Sequence, residues 1–501
     1  MAGYLPAIVR QASAGALPLF SLGVASGDPG PSSVVLWTRL ATDPLGGGGV
    51  AEPRVDVEWE VYEDETLARR VKRGRTAARI EDAHTVHVTV KGLAPDRWYW
   101  YRFRALGEES RVGRTRTMPD RRGAADRLRF ALCSCQDYQN GFYAAYRDMA
   151  EQDLDLVLHV GDYIYEYAAR PSAVRQHVGG ETETLDDYRA RHALYKLDPY
   201  LQEVHARFPF VITWDDHEVQ DNYAGYTSEH GVPRDEFVTR RAQAYRAYYE
   251  HMPLRRTVRD RKGLTLYRTV DFGSLARFAV LDGRQYRTDQ PCDAGGLPVI
   301  PECPGVYDED GTFLGRQQER WLYRSLKRSR ATWNVLAQQV MFLRGDLGEA
   351  LGSAVPVFNV DAWDGYQAQR QRILDFLVDQ QIANPIVLSG DIHSAWASDL
   401  RQDFLRPESP VVGSEFVCTS ISSDFPAPFV PLIENNLGPT SPNPHILFFE
   451  GRHRGYTLIE VTPSLWRADF RIVDDLLDPE SPVTVAASWV VEAGAPGTKP
   501  A

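Results

Sequence analysis

The first part of the chain and the remainder differ in the spacing of their apolar residues. From Phe20 to residue 118, runs such as SVVLWTRL, VDVEWEVYED and HTVHVTVKGL alternate apolar and polar positions between turn-forming residues. Alternation with a period of two predicts half-buried strands, and closely spaced strands are typical of all-β domains. The segment GLAPDRWYWYRFRA resembles a turn and strand of a fibronectin-like module. We therefore predict an Ig- or fibronectin-like β-sandwich over residues 19–118, without a catalytic cluster.

Strand and helix patterns alternate after a polar linker at residues 119–126. RFALCSC, DLVLHVGD, FPFVITWDDHE and NPIVLSGDIHS predict buried strands, and amphipathic segments such as NGFYAAYRDMAEQ predict helices between them. TETLDDYRARHALYKLDPYLQEVHAR predicts one long helix, and APFVPLIENNLGPTSPNPH predicts a loop-rich insertion. Because strands alternate with crossover helices, parallel strands are expected. The prediction is a multi-domain α+β chain, with an N-terminal segment at residues 1–18 and a second domain at 127–495.

Length and charge narrow the class of protein. The chain has 501 residues, enough for two domains. Its net charge of −12 argues against general nucleic-acid binding, which needs basic surface. No apolar run approaches the roughly 20 residues of a membrane span. The start lacks a clear export signal, so the chain is either cytosolic or already processed; we expect a processed, secreted or periplasmic monomer.

The five cysteines of the chain bear on its cellular compartment, because disulfides form mainly in exported proteins. Cys292 and Cys303 bracket the segment CDAGGLPVIPEC, where a disulfide would point to export and two free thiols would not. Both alternatives stay open from the sequence. Cys418, inside the apolar stretch EFVCTSI, is assigned to the core.

Four polar clusters directly follow predicted strands. They lie at residues 133–136, 162–166, 214–218 and 389–393. In open α/β sheets ligands gather at the carboxyl ends of the strands, so these clusters are expected to meet. Their residue types, carboxylates with histidine, thiol and phenol, are those of a two-metal hydrolase.

One half of this site combines soft and anionic donors. Asp162 follows a predicted strand and would bridge two ions, and Tyr165 is close enough to bind the same ion. Cys135 as thiolate and Tyr165 as phenolate are strong donors for a trivalent or soft transition metal such as iron. His393 can bind one of the ions.

The other half consists of hard oxygen donors. Asp216 and Asp391 suit calcium, magnesium or manganese. The sequence favours Asp216 over its neighbour Asp215 only because Asp216 precedes His217, and the choice stays open. His217 would act on the substrate phosphate. The division between the two halves predicts a mixed-metal centre.

The motifs LCSCQDYQNGFYAAYRDM, LVLHVGDYIYEY, FVITWDDHEVQDNYAG and PIVLSGDIHSAW together resemble those of a known family. They are similar to the PhoD-type alkaline phosphatases, relatives of the purple acid phosphatases among the calcineurin-like metallophosphoesterases. VASGDP, VLWTRL and LDGRQYRTDQPC extend the resemblance over nearly the whole chain from Phe20. The resemblance implies that the β-sandwich is followed by a metallophosphatase domain of two β-sheets flanked by helices.

The resemblance also implies a role for each site residue. Iron(III) would be held by Cys135, Asp162, Tyr165 and His393. One or two calcium ions would be held by Asp162, Asp216, Asp391 and Asn222, with manganese, magnesium or zinc as substitutes. Asp216 and His217 would be catalytic. His217 and Arg284 would bind the substrate phosphate, although an arginine after a strand is also typical of a structural ion pair.

Three motifs depart from the wider metallophosphatase pattern. SCQ at residues 134–136, DDHE at 215–218 and GDIH at 390–393 stand where that pattern has Asp-x-His, Gly-Asn-His-Glu and Gly-His-x-His. All three agree with the PhoD branch, and they shift the second metal toward a hard cation.

The predicted function is hydrolysis of small-molecule or lipid phosphoric esters by a metal-bound hydroxide, as in alkaline phosphatase D-like mono- and diesterases. The alternative within the family is a phospholipase-D-like diesterase that releases a headgroup alcohol. For that alternative, APFVPLIENNLGP either lines a lipid-accepting mouth or is a packed loop. Two hypotheses from other classes are a non-catalytic surface-polymer-binding protein and a calcium-stabilised structural protein.

Overall fold

Two large β-sheets packed face to face form the centre of the computed structural model, which describes residues 16–255, 264–292 and 298–501. The strands of the N-terminal part are β1 (Val24–Gly30), β2 (Ser33–Arg39), β3 (Arg54–Tyr62), β4 (Arg70–Arg79), β5 (Thr85–Lys91), β6 (Trp98–Ala105), β7 (Glu108–Glu109) and β8 (Gly113–Arg116).

The later part alternates strands and helices, as the sequence predicts. Its strands are β9 (Leu128–Cys133), β10 (Leu156–His159), β11 (Pro209–Ile212), β12 (Arg268–Phe272), β13 (Ala276–Val280), β14 (Val299–Pro301), β15 (Trp333–Ala337), β16 (Val357–Asn359), β17 (Pro385–Ser389), β18 (Ala395–Arg401), β19 (Val411–Val417), β20 (Ile446–Glu450), β21 (Arg454–Val461), β22 (Leu465–Val473), β23 (Val483–Glu492) and β24 (Ala495–Pro500). Its helices are α1 (Ala144–Glu151), α2 (Leu185–Lys196), α3 (Pro199–Arg207), α4 (Arg234–His251), α5 (Gly315–Lys327), α6 (Gln367–Asp379) and α7 (Phe429–Asn435).

The two large sheets are mixed, with parallel strands at their centres. Among the described residues, the first sheet has the order β24-β23-β22-β21-β9-β10-β11-β1-β2-β5 and the second β12-β13-β15-β17-β19-β18-β20. Strands β9, β10 and β11 run parallel, as do β13, β15, β17 and β19. Their carboxyl ends therefore lie at shared sheet edges, where the four polar clusters follow.

Alternating side chains divide each sheet between two cores. On β9, Phe130 and Leu132 face the second sheet, whereas Ala131 and Cys133 face the helices on the outer side. The helices α1 to α4 cover the outer face of the first sheet, and α5 and α6 cover that of the second. Two sheets flanked by helices are thus present, in agreement with the resemblance.

The N-terminal part is not confirmed as a separate Ig-like sandwich. β3, β4, β6, β7 and β8 form a small antiparallel sheet, and a buried core lies between this sheet and β1, β2 and β5. However, β1 pairs in parallel with β11, so one layer continues the first large sheet. Residues 119–126 contain no helix or strand, and the domain boundaries and the monomeric state stay predictions.

Two predicted elements differ in the structure. The long helix at residues 182–207 is divided into α2 and α3, because Pro199 lacks the N–H that a continuous helix would need. Thr184 and Asp187 form a capping box at the start of α2. The predicted loop after Ala427 contains α7, since Pro431 lies in its first turn, where amide groups have no helical partner.

Cys292 and Cys303 form a disulfide, which decides between the two alternatives left open by the sequence. Cys418 is buried, as predicted. Over the described ranges, no helix combines the length and the apolar character that crossing a bilayer requires.

Candidate metal centre

The predicted site residues follow the carboxyl ends of four central strands. Cys135 follows β9, Asp162 and Tyr165 follow β10, and Asp216 follows β11 of the first sheet. From the second sheet, β17 leads into residues 391–393. The structure brings these segments together at one end of the two packed sheets.

Two glycines allow the strand-end segments to approach each other. Gly161 has a φ of +131°, and a Cβ atom there would clash with Asp215. A Cβ atom on Gly390, in the second sheet, would clash with Ser134 in the first. Glycine is therefore needed at both positions for the clusters to meet.

The ligand-type side chains form overlapping groups. Within the described part of the chain, three sets have donor atoms within 4.8 Å of one another: Cys135, Asp162 and His393; Asp162, Asp216 and His217; and Asp215, Asp216 and Asp391. Asp162 belongs to two of them, as expected of a bridging carboxylate. Asp216 also belongs to two, whereas Asp215 belongs to one.

Tyr165 joins the first group through its phenol oxygen. This oxygen lies 3.0 Å from Asp162 Oδ2 and 3.1 Å from His393 Nε2. Burial raises the pKa of the Cys135 thiol and the Tyr165 phenol well above their ordinary values, and the nearby Asp162 carboxylate adds to both. A thiolate and a phenolate at these positions would therefore require a strongly charged partner.

Backbone strain is concentrated at the same residues. Cys135, Asp162, Asn222, Asp391 and His393 have φ values between +52° and +67°. Non-glycine residues adopt this left-handed conformation infrequently, because the Cβ atom crowds the backbone. Five of the seven predicted metal ligands are held in this way, and such strain is typical of functional sites.

Asn222 lies beside Asp216, one of the predicted calcium ligands. Its backbone amide donates a 2.6 Å hydrogen bond to Asp216 Oδ2, and its carbonyl oxygen accepts one from Gln290 Nε2 at 2.6 Å. Both contacts fix the backbone of Asn222 next to the predicted calcium ligands.

Arg284 is fully buried among the carboxylates. Its Nε lies 2.5 Å from Asp215 Oδ1, and its Nη2 lies 2.8 Å from Asp361 Oδ2. Nη2 is also 3.3 Å from Asp216 Oδ1 and 3.6 Å from Asp391 Oδ1. In this geometry the guanidinium is buried and engaged in ion pairs, and phosphate binding by Arg284 stays a prediction.

His217 is oriented by two side chains from the loop after β10. Its Nδ1 lies 2.8 Å from Glu166 Oε2, and its ring stacks on Tyr165 with the centroids 4.1 Å apart. With Nδ1 bound to Glu166, Nε2 faces Asp216 and Asp221 at 3.9 Å from each. Burial alone would lower the pKa of His217, but the carboxylates of Asp216 and Glu166 help to raise it well above its ordinary value.

Sequence reasoning missed several residues that support the site. Glu218 accepts hydrogen bonds from the backbone amides of Asp162 and Asp215, at 3.2 and 2.8 Å. Ser423 Oγ lies 2.7 Å from the Tyr165 phenol oxygen. Glu218 lies within a recognised cluster and so had a local signal, whereas Ser423 lies far along the chain and had none.

Comparison with known proteins places these features in a family. The sequence model of the PhoD-like phosphatase matches residues 130–470, and that of the PhoD-like phosphatase N-terminal domain matches residues 7–119. The chain belongs to the PhoD-like phosphatase family. It is thereby placed among the phosphoester hydrolases.

Relatives of this PhoD-like phosphatase agree over most of its length. Alkaline phosphatase D of Bacillus subtilis (strain 168) is 45% identical over 484 residues, which cover 94% of this chain and 81% of the relative. A solved structure of PhoD has a TM-score of 0.90 and 44% identity, over 96% of this chain and 92% of that one. A purple acid phosphatase from yellow lupin (Lupinus luteus) seeds shares the fold, with a TM-score of 0.58 and 11% identity over 94% and 74% of the two chains.

The metallophosphatase family implies metal ions, and the donor set of this member fits them. Asp162 Oδ1 and Asp216 Oδ1 are buried without a hydrogen-bond partner among the described residues. Burial raises the pKa of Asp162 and Asp391 well above the ordinary value. Because a cation lowers the pKa of an adjacent carboxyl group, bound metal would keep these side chains ionised.

Proposed function

We propose that this PhoD-like phosphatase hydrolyses phosphoric mono- and diesters at a mixed centre of iron(III) and calcium. The proposal depends mainly on one observation, the overlap of a sulfur- and phenol-containing donor group with an all-carboxylate group at Asp162. Thiolate and phenolate favour a trivalent or soft ion, whereas carboxylates favour a hard one. Calcium as the only ion would not account for the thiol of Cys135, because calcium binds oxygen ligands.

We assign iron to the group of Cys135, Asp162, Tyr165 and His393. We assign calcium to the group of Asp162, Asp216, Asp391 and Asn222. Asp162 Oδ1 is buried and has no hydrogen-bond partner in the described part of the chain, and Asp216 Oδ1 is buried with only the ion pair to Arg284; both oxygens support a cation at the junction of the two groups. When bound, the ions would act as Lewis acids toward the phosphate and toward an attacking water molecule.

We assign His217 to the substrate. Its bond to Glu166 fixes the ring and leaves Nε2 directed into the site. From there Nε2 would donate a hydrogen bond to a phosphoryl oxygen or a proton to the leaving alcohol. Arg284 acts through other residues: its ion pairs hold Asp215 and Asp361 and thereby position the neighbouring carboxylates.

Metal content and hydrolysis should be measured together after chelation and reloading with iron and calcium. We expect cleavage of 4-nitrophenyl phosphate and bis(4-nitrophenyl) phosphate to be lost on chelation and restored by the two ions. Asp391→Asn should reduce calcium content and lower kcat/KM by more than the roughly 10- to 100-fold typical of residues outside the ligand set.

The matched control is Asp399→Asn. Asp399 lies on β18 in the same sheet and accepts a hydrogen bond from the Thr498 amide, away from the site. This variant should keep wild-type metal content and activity. Hydrolysis by metal-free protein, or an Asp391→Asn variant equal to the wild type, would refute the proposal. Metal loading without hydrolysis of any ester would favour the binding-protein hypothesis.

We also propose that the chain functions in the periplasm or outside the cell. The disulfide between Cys292 and Cys303 supports this location, because disulfides persist in oxidising compartments. Alkylation of denatured, unreduced protein from its native host should modify the three free cysteines, Cys133, Cys135 and Cys418. Modification of all five would contradict the proposed location.

A further inference from the structure

An apolar cavity of about 180 Å³ lies in the second half of the chain. Its walls include Met341, Trp396, Phe425, Phe429 and Ile433. Phe429 and Ile433 belong to α7, the helix in the apolar, proline-rich stretch that was predicted as a loop. Phe429 is 37% exposed, so solvent reaches this lining residue.

The cavity adjoins the candidate metal centre through two chain segments. Ile392, a lining residue, stands between the predicted ligands Asp391 and His393. Phe425, another lining residue, follows Asp424, whose carbonyl oxygen lies 2.8 Å from His393 Nδ1. The same segments therefore contribute to the site on one side and to the apolar wall on the other.

A third segment makes the same connection. Asn359 and Ala362 line the cavity. Asp361, which stands between them in the chain, forms an ion pair with Arg284, the arginine that also pairs with Asp215 in the site. Three separate parts of the chain thus lead from the site to the cavity wall.

Most polar side chains in the lining are already engaged within the protein. Asp364 accepts hydrogen bonds from Gly345 N at 2.8 Å and from Arg370 Nη1 at 2.7 Å. Asn443 is bonded through both ends of its amide to the backbone of Asp346. Asn436 Oδ1 is an exception, since it has no partner in the described part of the chain. Because Asn436 Oδ1 is itself buried, the surface that the cavity offers is mainly apolar.

The size of the cavity limits its occupant. A cavity of about 150 Å³ lined by leucine, isoleucine and phenylalanine stays dry and binds benzene. A cavity of 180 Å³ accordingly suits an aromatic ring or a short alkyl chain, not a polar group that needs several hydrogen bonds. Apolar ligand pockets beside a few polar groups are typical of substrate sites.

We propose that this cavity binds the apolar ester group of the substrate while the phosphate lies at the metal centre. The preferred substrates are then phosphoric esters with an alkyl or aryl substituent, rather than esters of small polar alcohols. This inference rests on the proposed function, because it assumes that an ester is cleaved at the adjacent centre.

The test compares n-hexyl phosphate with methyl phosphate in the metal-loaded wild-type protein. Both release a primary alcohol, so the comparison isolates the apolar chain from the chemistry of the leaving group. Since each buried methylene contributes favourably to binding, kcat/KM should be about tenfold or more higher for the hexyl ester. Hexylphosphonate, which cannot be hydrolysed, should inhibit more strongly than methylphosphonate by a similar factor.

Two variants of α7 test whether the preference for the hexyl ester depends on the cavity. Phe429→Ser should remove most of the preference for the hexyl ester while leaving kcat/KM for methyl phosphate unchanged. Leu432→Ser is the matched control, because Leu432 is also 37% exposed on α7 but is not part of the cavity lining. It should leave both values unchanged.

The outcomes separate this inference from the proposed function. Equal kcat/KM values for the two esters, or equal inhibition by the two phosphonates, would overturn the inference and leave the proposed function standing. Hydrolysis of neither ester, nor of the nitrophenyl esters, would overturn both. If Phe429→Ser and Leu432→Ser both kept the full preference for the hexyl ester, that result would also contradict binding of the ester group in the cavity.

Discussion

The side-chain oxygen of Ser423 lies 2.7 Å from the phenol oxygen of Tyr165, although 258 positions separate the two residues in the chain. The segment that contains Ser423 is fixed against the first sheet, since the amides of Ser422 and Ser423 both donate to the Cys135 carbonyl oxygen. Ser423 thereby supports two of the residues assigned to iron.

Ser423→Ala should shift the visible absorption of the iron-loaded protein to longer wavelength. A hydrogen bond to a phenolate lowers the energy of the phenolate electrons. When that bond is lost, charge transfer from Tyr165 to iron(III) requires less energy. Ser422→Ala is the control, because the Ser422 hydroxyl donates to the Asp137 carbonyl oxygen instead. An unchanged spectrum in Ser423→Ala would argue against a bond from Ser423 to an iron-bound Tyr165.

Glu218→Gln should weaken metal binding without removing a predicted ligand. The Glu218 carboxylate accepts the amides of Asp162, Tyr163 and Asp215, and glutamine has only one oxygen for them. We expect metal affinity to fall by about 10- to 100-fold. The free energy of unfolding should fall by about 1–3 kcal/mol.

The control for this variant is Glu319→Gln on α5. Glu319 is also buried and hydrogen-bonded, but its partners, Tyr323 and Gln369, are not residues of the site. It should lower stability without changing metal affinity, as measured by titration of chelated protein. A Glu218→Gln variant with wild-type metal affinity would show that Glu218 does not position the site.

His217→Asn should affect esters according to their leaving groups. If His217 Nε2 protonates the leaving alcohol, kcat for an alkyl ester should fall by about 10²- to 10⁴-fold. The fall should be much smaller for a 4-nitrophenyl ester, whose leaving group needs no proton. Equal losses for the two esters would indicate instead that His217 binds the phosphoryl oxygens, and no loss would remove it from the reaction.

Lys196→Met should alter how stability depends on pH. Lys196 is buried, with Nζ 3.2 Å from the Tyr163 hydroxyl and 4.4 Å from the Trp37 ring centroid. Burial lowers its pKa to about 7. Between this value and the unfolded lysine pKa of about 10.4, the unfolded state binds more protons at Lys196, so the contribution of Lys196 to the free energy of unfolding should rise with pH.

The methionine variant should lack this rise and be more stable at pH 7, by an amount on the order of a few kcal/mol. Denaturant unfolding at pH 7 and pH 10 measures the difference. Lys91→Met, at an exposed position on β5, should follow the wild type. Parallel pH profiles for Lys196→Met and the wild type would show that Lys196 is charged when folded.

The sequence allowed prediction of those parts of the site that depend on local order. Asp162 and Asp391 each follow a short apolar run, and a buried strand places such residues at a sheet edge whatever the rest of the chain does. The parallel strands and the flanking helices follow from the same periodicity. Two local features differ from the prediction: the helix break before Pro199, although proline is a strong local signal, and the helix α7 in the proline-rich stretch after Ala427.

Features that depend on distant contacts were not predictable. The pairing of β1 with β11, the contact of Ser423 with Tyr165 and the ion pair of Arg284 with Asp361 join segments far apart in sequence. Their geometry is set by how the two sheets pack, which no local pattern records. Arg284 illustrates this limit, because an arginine after a strand is compatible with either phosphate or carboxylate as its partner.

The most direct test of the mixed-metal centre is elemental analysis combined with the visible spectrum of Tyr165→Phe, with Tyr167→Phe as the control. The wild type and Tyr167→Phe should contain both iron and calcium and be purple, because a tyrosinate transfers charge to iron(III). Tyr165→Phe should lose the tyrosinate band and the tyrosinate vibrations in resonance Raman spectra, and any visible absorption that remains should come from the Cys135 thiolate, which also transfers charge to iron(III). A colourless wild type containing only zinc or manganese, or tyrosinate vibrations that survive in Tyr165→Phe, would contradict the assignment.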